Sequence, residues 1–165
     1  MRVYLSLGSN LGDRLYHLES ALKQLGAHER IHWTACSGCY ETSPVGSLDQ
    51  PVFLNVAAEI ETDLTPLELL NVAKEIESGL GRTETWRWGP RVVDIDIILC
   101  GSTVITSERL TVPHPEFRRR AFVLQPLAEI APDVVDPVTG KTVAELVAGA
   151  EAEGQVRRLH DVVVD

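Results

Sequence analysis

Apolar and polar positions change period several times along the chain, and each change marks an element. Residues 3–7, VYLSL, alternate and predict a strand that ends in the turn at 8–10. From about Asp13 to Leu25 the period is helical, with Leu15, Leu18, Leu22 and Leu25 on one face and Gly26 as the stop. Residues 31–41 predict a second strand, and TSPVGSLDQP at 42–51 is a loop rich in turn formers. The run VFLNVAAEIE, 52–61, predicts a third strand. Phe53, Asn55 and Ala57 share one face, and Val52, Leu54, Val56, Ala58 and Ile60 the other. Thr65, Pro66 and Glu68 form a helix start, with Thr65 as cap and Glu68 closing a capping box. That helix carries Leu67, Leu70, Ala73, Ile76 and Leu80 and ends near Gly81; a fourth strand follows over 91–99. The order strand, helix, strand, strand, helix, strand is a split βαβ arrangement, with both helices on one face of the sheet. Beyond Gly101 the pattern predicts a short strand at 103–105, a helix near 117–130, a turn at DPVTGK, a short helix from Thr142 and a last strand in VRRLHDVVV. The length, 165 residues, suits a single domain over 1–165.

The fourth strand is unusual. Alternation sends Val93, Ile95, Ile97 and Leu99 to one side and Val92, Asp94, Asp96 and Ile98 to the other. Two carboxylates then stand side by side, with Cα atoms roughly 6–7 Å apart. Such a pair repels, and one pKa rises, unless a cation lies between them. Arg82 or Arg91 could serve, or a divalent metal. Mg²⁺ suits the donors best, because it takes one or two carboxylates together with substrate phosphates. The alternative is an arginine–aspartate lattice on the sheet surface.

Charge sharpens this picture. The formal net charge is −9, which argues against a general nucleic-acid binder. Yet residues 82–120 hold seven arginines (Arg82, Arg87, Arg91, Arg109, Arg118, Arg119 and Arg120), no lysine and five acids. A local arginine cluster in an acidic protein predicts a site for a compact anion such as a nucleotide phosphate. The stretch Gly8–Gly12 lacks the lysine of a P-loop and is not read as one. Cys36, Cys39 and Cys100 are too few for a disulfide framework. Cys36 and Cys39 have C-x-x-C spacing, but no second ligand pair follows at zinc spacing, and they read as small strand residues. No apolar run reaches the roughly 20 residues of a membrane helix, and MRVYLSLGSN has no signal-peptide plan, so a cytoplasmic location without membrane contact is expected.

Four stretches carry a family resemblance: RWGPRVVDIDIIL at 87–99, LGSNLGDR at 7–14, YETSPVGSLDQPVFLN at 40–55 and RLTVPHPEFRRRAFVLQPLAEIAP at 109–132. In order and spacing they resemble 6-hydroxymethyl-7,8-dihydropterin pyrophosphokinases of folate biosynthesis. The resemblance covers nearly the whole chain, the last twenty or so residues being least distinctive. It implies a monomeric α+β domain with a ferredoxin-like βαββαβ core, an antiparallel sheet flanked by helices, and a C-terminal extension. It also implies an enzyme that moves the β,γ-pyrophosphoryl unit of ATP onto the pterin hydroxymethyl group and releases AMP, with two Mg²⁺ ions as cofactors. Asp94 and Asp96 match the metal ligands. Arg82 and Arg91 match arginines that act on the transferring phosphates, so Arg82, Arg91 and Asp96 form the implied catalytic set. Arg87 and Trp88 lie in a loop that the resemblance makes a lid over bound substrates. Glu77, Ile97, Arg109, Thr111, His114 and Arg120 match positions around ATP; Arg118 and Arg119 read as solvated. Thr42, the Val45 backbone, Phe53, Asn55, Trp88 and Phe122 match the pterin pocket, with Phe122 stacking on the ring and Asn55 reading its edge. Ser43, Glu84 and Pro115 depart from what some members carry.

Two rivals remain at this level. A palm-like nucleotidyl transferase or cyclase also sets two metal-binding aspartates on such a sheet, and would release pyrophosphate instead of AMP. It leaves Asn55, Phe122 and RWGPR without roles. A non-catalytic sensing or RNA-binding module would need basic residues and paired aromatics on exposed strands, which the first and third strands lack.

Overall fold

The computed structural model describes residues 1–9, 13–42, 52–80, 92–149 and 156–162. In chain order the elements are β1 (Arg2–Ser9), α1 (Arg14–Ala27), β2 (Ile31–Cys36), β3 (Cys39–Thr42), β4 (Phe53–Thr62) and α2 (Pro66–Leu80). They continue with β5 (Asp94–Cys100), β6 (Ile105–Thr106), β7 (Thr111–Val112), a 3-10 turn (Phe117–Arg119), α3 (Ala121–Ile130), α4 (Val143–Gly149) and β8 (Val156–His160). The main sheet runs β5-β1-β4-β3-β8, with β2 also on β4, and all pairings are antiparallel. This is the strand order that the split βαβ pattern requires.

The helix starts form as their sequences dictate. The Asp13 carboxylate accepts from the Tyr16 backbone N–H at 3.2 Å and caps α1. Thr65 and Glu68 close the expected box: Thr65 N–H donates to Glu68 Oε1 at 2.9 Å, and Glu68 N–H donates to Thr65 Oγ1 at 3.2 Å.

Several boundaries and faces differ from the expectation, each for a local reason. Residues 31–41 are two strands, broken at Ser37 and Gly38. The Ser37 hydroxyl takes the Ala57 N–H at 2.8 Å, and Ser37 N–H donates to the Ala57 carbonyl at 2.9 Å, so the corner is tied to β4. α1 runs through Gly26 to Ala27, and Gly26 is not its stop but a packing residue: the Trp33 indole lies where a side chain at 26 would stand. Leu69, Ala73, Ile76 and Glu77 form the buried face of α2, while Leu67 is exposed. β5 starts at Asp94, and its pairing with β1 steps from Leu5↔Ile97 to Tyr4↔Leu99. Ile98 is thus the extra residue of a bulge, and Leu99 moves to the face opposite Ile95 and Ile97. Helix 117–130 is interrupted at Arg120, whose extended backbone separates the 3-10 turn from α3.

Helices cover both faces, not one. α1 and α2 lie on Val3, Leu5, Leu7, Leu54, Val56, Ile60, Ile95 and Ile97. α3 and Val143 of α4 cover Tyr4, Ala57, Ile98 and Leu99 on the opposite face, around the fully buried Phe117. β8 closes the free edge of β3.

Candidate active site

Register assembles the site on the α3 side of the sheet. Gly8 of β1 pairs with Asp94 on one flank and Asn55 on the other, and Asn55 pairs with Tyr40 of β3. One row across four strands therefore reads Asp94, Gly8, Asn55, Tyr40. The next row holds Asp96, Ser6 and Ala57. Asp94 and Asp96 are half-buried and lie two residues apart on one face of β5. Asn55 is buried, and its Nδ2 donates to Thr42 Oγ1 at 3.0 Å. A Cβ at Gly8 would stand 2.7 Å from Asn55 Oδ1, so the glycine gives that amide its room.

The segment after β7 borders the carboxylates. His114 N–H donates to the Ile98 carbonyl at 2.9 Å, which pins this segment to the outer edge of β5. His114 Nδ1 accepts the Glu116 N–H at 3.1 Å, so the neutral ring carries its proton on Nε2. Burial holds the His114 pKa below its ordinary value; Arg120 adds to this, while Asp96 and Glu116 oppose it. The Arg120 guanidinium lies 5.6 Å from the Phe122 ring centre, over its face. Arg118, expected from the sequence to be solvated, is instead paired and largely covered. It makes a fork to the fully buried Asp136, Nε to Oδ2 at 2.5 Å and Nη2 to Oδ1 at 2.9 Å. The Val138 N–H and the Thr139 hydroxyl also donate to Asp136, at 3.0 and 2.7 Å. Burial would raise the Asp136 pKa, but Arg118 and these donors outweigh it and hold it at about 2. The fork fixes the 3-10 turn that leads into Arg120 and Phe122.

Comparison with known proteins decides the family. The model of 7,8-dihydro-6-hydroxymethylpterin-pyrophosphokinase (HPPK) matches residues 4–132. The chain belongs to the HPPK family. A Methylorubrum extorquens 2-amino-4-hydroxy-6-hydroxymethyldihydropteridine pyrophosphokinase is 48% identical over 93% of this chain and 96% of its own. A Bacillus subtilis protein of the same name is 49% identical over 82% of this chain and 81% of its own. The fold is also that of the Plasmodium falciparum HPPK-DHPS crystal structure, with a TM-score of 0.73 at 17% identity. That match covers 89% of this chain and 45% of the longer Plasmodium chain. Membership bears out the resemblance in fold class and in activity: an ATP-using pyrophosphokinase of folate biosynthesis, acting on 6-hydroxymethyl-7,8-dihydropterin.

Within the HPPK frame the expected residues fall into three groups. Thr42, Asn55, Asp94 and Asp96 gather on the α3 side of the sheet, with half-buried Phe53 at the start of β4 and Phe122 at the start of α3. Glu77, Thr111 and His114 collect along the outer edge of β5. There Glu77 Oε1 accepts the Ile95 N–H at 2.7 Å, and Lys74 Nζ stands 3.4 Å from its Oε2. Glu77 thus satisfies an edge-strand donor. Arg109, in the turn joining β6 to β7, donates to Asn71 Oδ1 of α2 at 2.7 Å. The Ile97 side chain lies in the core under α1 and α2, on the face away from the carboxylates. Arg82, Arg87, Trp88, Arg91 and Val45 lie outside the described residues. Among the described residues no three His, Cys, Asp or Glu side chains cluster as a metal site. Sequence reasoning missed Gly8, Ser6, Tyr40, Glu129 and the Arg118–Asp136 fork.

Proposed function

We propose that this chain performs the family reaction at the Asp94–Gly8–Asn55 row, with two Mg²⁺ ions on Asp94 and Asp96. The observation that carries the reading is this register: a carboxylate, Asp94, and a buried amide, Asn55, flank Gly8, a residue with no side chain. The donor set fits Mg²⁺, being two half-buried carboxylates on one strand face with histidine beside them and no thiol. Bound there, the metal would neutralise phosphate charge and polarise the attacked phosphorus. Asp94 and Asp96 would hold the cation side of the site. The neutral His114 would offer Nε2–H to a phosphate oxygen, and Arg120 would add a fixed positive charge beside it. Arg82 and Arg91 would clamp the transferring phosphates with forked donors. Asn55, oriented by Thr42, would read the pterin edge with its amide, and Phe122 would stack on the ring face beneath Arg120. Glu77, Ile97, Arg109 and Thr111 would border the nucleotide, Ile97 through its backbone. Phe53, Val45 and Trp88 would complete the pterin side. Such catalysis is mainly positioning and charge neutralisation, which suits residues held on strands. We assign one domain over 1–165, acting as a monomer in the cytoplasm on these two small substrates, with neither nucleic acid nor a membrane as partner.

The test is direct. The purified protein, with ATP, Mg²⁺ and 6-hydroxymethyl-7,8-dihydropterin, should form AMP only when pterin and metal are both present. Pyrophosphate release, or AMP formation indifferent to pterin, would contradict the reading.

A further inference from the structure

Glu129 and Arg158 take no part in the site described, yet they join three elements that frame its pterin side. Glu129 lies in the last turn of α3, seven positions beyond Phe122 and so two turns along the same helix face. Its carboxylate accepts three donors: the Gly38 N–H at 3.0 Å, the Tyr40 hydroxyl at 2.6 Å and Arg158 Nε at 2.9 Å. Gly38 is the break between β2 and β3. Tyr40 is buried in β3, directly opposite Asn55 and two residues before Thr42. Arg158 belongs to β8, where it pairs with Tyr40, and its other branch bonds Asp161. A side chain at Gly38 would collide with the Arg158 guanidinium, so the glycine makes the space in which the guanidinium lies. β8 lies beyond residues 4–132, the part of the chain that the family model covers.

We propose that Glu129, charge-paired with Arg158 of the C-terminal strand, is a positioning residue for the pterin pocket. One end of α3 presents Phe122; the other is tied through Glu129 to the strand that carries Thr42 and backs Asn55. This tie sets the separation between the stacking wall and the edge-reading wall. The carboxylate has three donors because each holds a different element: the β2–β3 corner, the β3 side chain and β8. Arg158 keeps the carboxylate charged and aimed at Tyr40 and Gly38. The nucleotide side, on the far edge at β5, shares none of these bonds.

The inference rests on the pterin reading of the site, and the experiment separates the two. In the full-length chain, Arg158→Met, Arg158→Lys, Glu129→Gln and Tyr40→Phe are compared with the parent. The Kd of 6-hydroxymethyl-7,8-dihydropterin is measured with Mg²⁺ and a non-hydrolysable ATP analogue, and the Kd of the analogue is measured alone. Arg158→Met should raise the pterin Kd by about three- to tenfold, and Glu129→Gln by about tenfold or more, with the analogue Kd changed less than about twofold. Arg158→Lys should recover part of the loss. Arg158 is partly exposed, so its replacement leaves the fold intact and keeps the test decisive even where Glu129→Gln lowers the melting temperature. An unchanged pterin Kd in folded Arg158→Met and Glu129→Gln overturns the inference, and so does an equal rise in both constants. A parent that binds the analogue but no pterin overturns the reading beneath it instead.

Discussion

On the side of α1 and α2, the inward positions of β1, β4 and β5 are apolar: Val3, Leu5 and Leu7 of β1, Leu54, Val56, Ala58 and Ile60 of β4, Ile95 and Ile97 of β5. On the side of α3 the same strands present Ser6, Gly8, Asn55, Asp94 and Asp96, with Tyr4 and Ala57 beside them. Burial stabilises the first face by about 1.5–3 kcal/mol for each fully buried Leu or Ile. The second face carries groups whose desolvation costs stability unless each finds a partner. One sheet therefore supports chemistry on one side because the other side supplies the core. Residues on the two faces should fail differently when replaced.

The largest separation is expected at the carboxylates. Asp96→Ala or Asp94→Ala should lower pterin-dependent AMP formation by at least about 10²-fold, while the melting temperature stays within a few degrees of the parent. On the opposite face, Leu22→Ala in the buried stripe of α1 should cost about 2–5 kcal/mol in denaturant unfolding and leave the rate per folded molecule unchanged. Parallel loss of fold and rate in both variants would break the comparison.

Asp136 belongs to the support of the polar side. Its folded pKa is about 2, against 3.8 for an ordinary aspartate, so its ionised form stabilises the fold fully above about pH 4. That contribution fades as the pH falls through the folded value. Asp136→Ala should cost about 3 kcal/mol at pH 7, because it leaves Arg118 without its counter-charge, and should flatten the acid limb of stability between pH 4 and 2. Melting curves over that range would show it.

A smaller effect sharpens the picture within the polar face. Gly8→Ala brings a methyl group against Asn55 Oδ1 and should weaken pterin binding by about tenfold, with Mg-ATP binding nearly unaffected. Calorimetric titration of each substrate separates the two. The smallest effect is expected from the thiols. Burial pushes Cys36 up to about 12, and Cys39 and Cys100 to about 11, so thiolate is scarce at pH 8. All three should react with a thiol reagent far more slowly than free cysteine until the protein unfolds. Rapid labelling of Cys36 and Cys39 would reopen the redox reading of C-x-x-C.

Much of this organisation was legible in the residues, and the illegible part has a pattern. Alternation told which residues of a strand share a face, which is why Asp94 with Asp96, and Phe53 with Asn55, were found. It says nothing about which residue of the next strand stands opposite, because register depends on the whole sheet. Gly8 was therefore seen as a turn residue, not as the residue between Asp94 and Asn55. The bulge at Ile98 reverses the parity on which the Leu99 assignment rested. The capping box of α2 was readable because its bonds span three residues. Arg118 and Asp136 lie 18 apart, Glu129 and Gly38 91 apart, and no local pattern joins them. The helical stripe of α2 is legible at Ala73 and Ile76 but not at its ends: Leu67 is exposed, and a buried Glu77, bonded to the edge of β5, takes an inward position that hydrophobic counting reserves for leucine. The reaction itself came through family resemblance and not through composition or period.

The central claim is that the aspartates of β5 serve chemistry and not the fold. The measurement that tests it most directly is AMP formation by Asp96→Asn beside the parent, with ATP, Mg²⁺ and 6-hydroxymethyl-7,8-dihydropterin, each protein matched by its melting curve. The account predicts pterin-dependent AMP from the parent, and almost none from a variant that melts like it. A variant that keeps the parental rate, or one that loses rate only in proportion to lost fold, would contradict it.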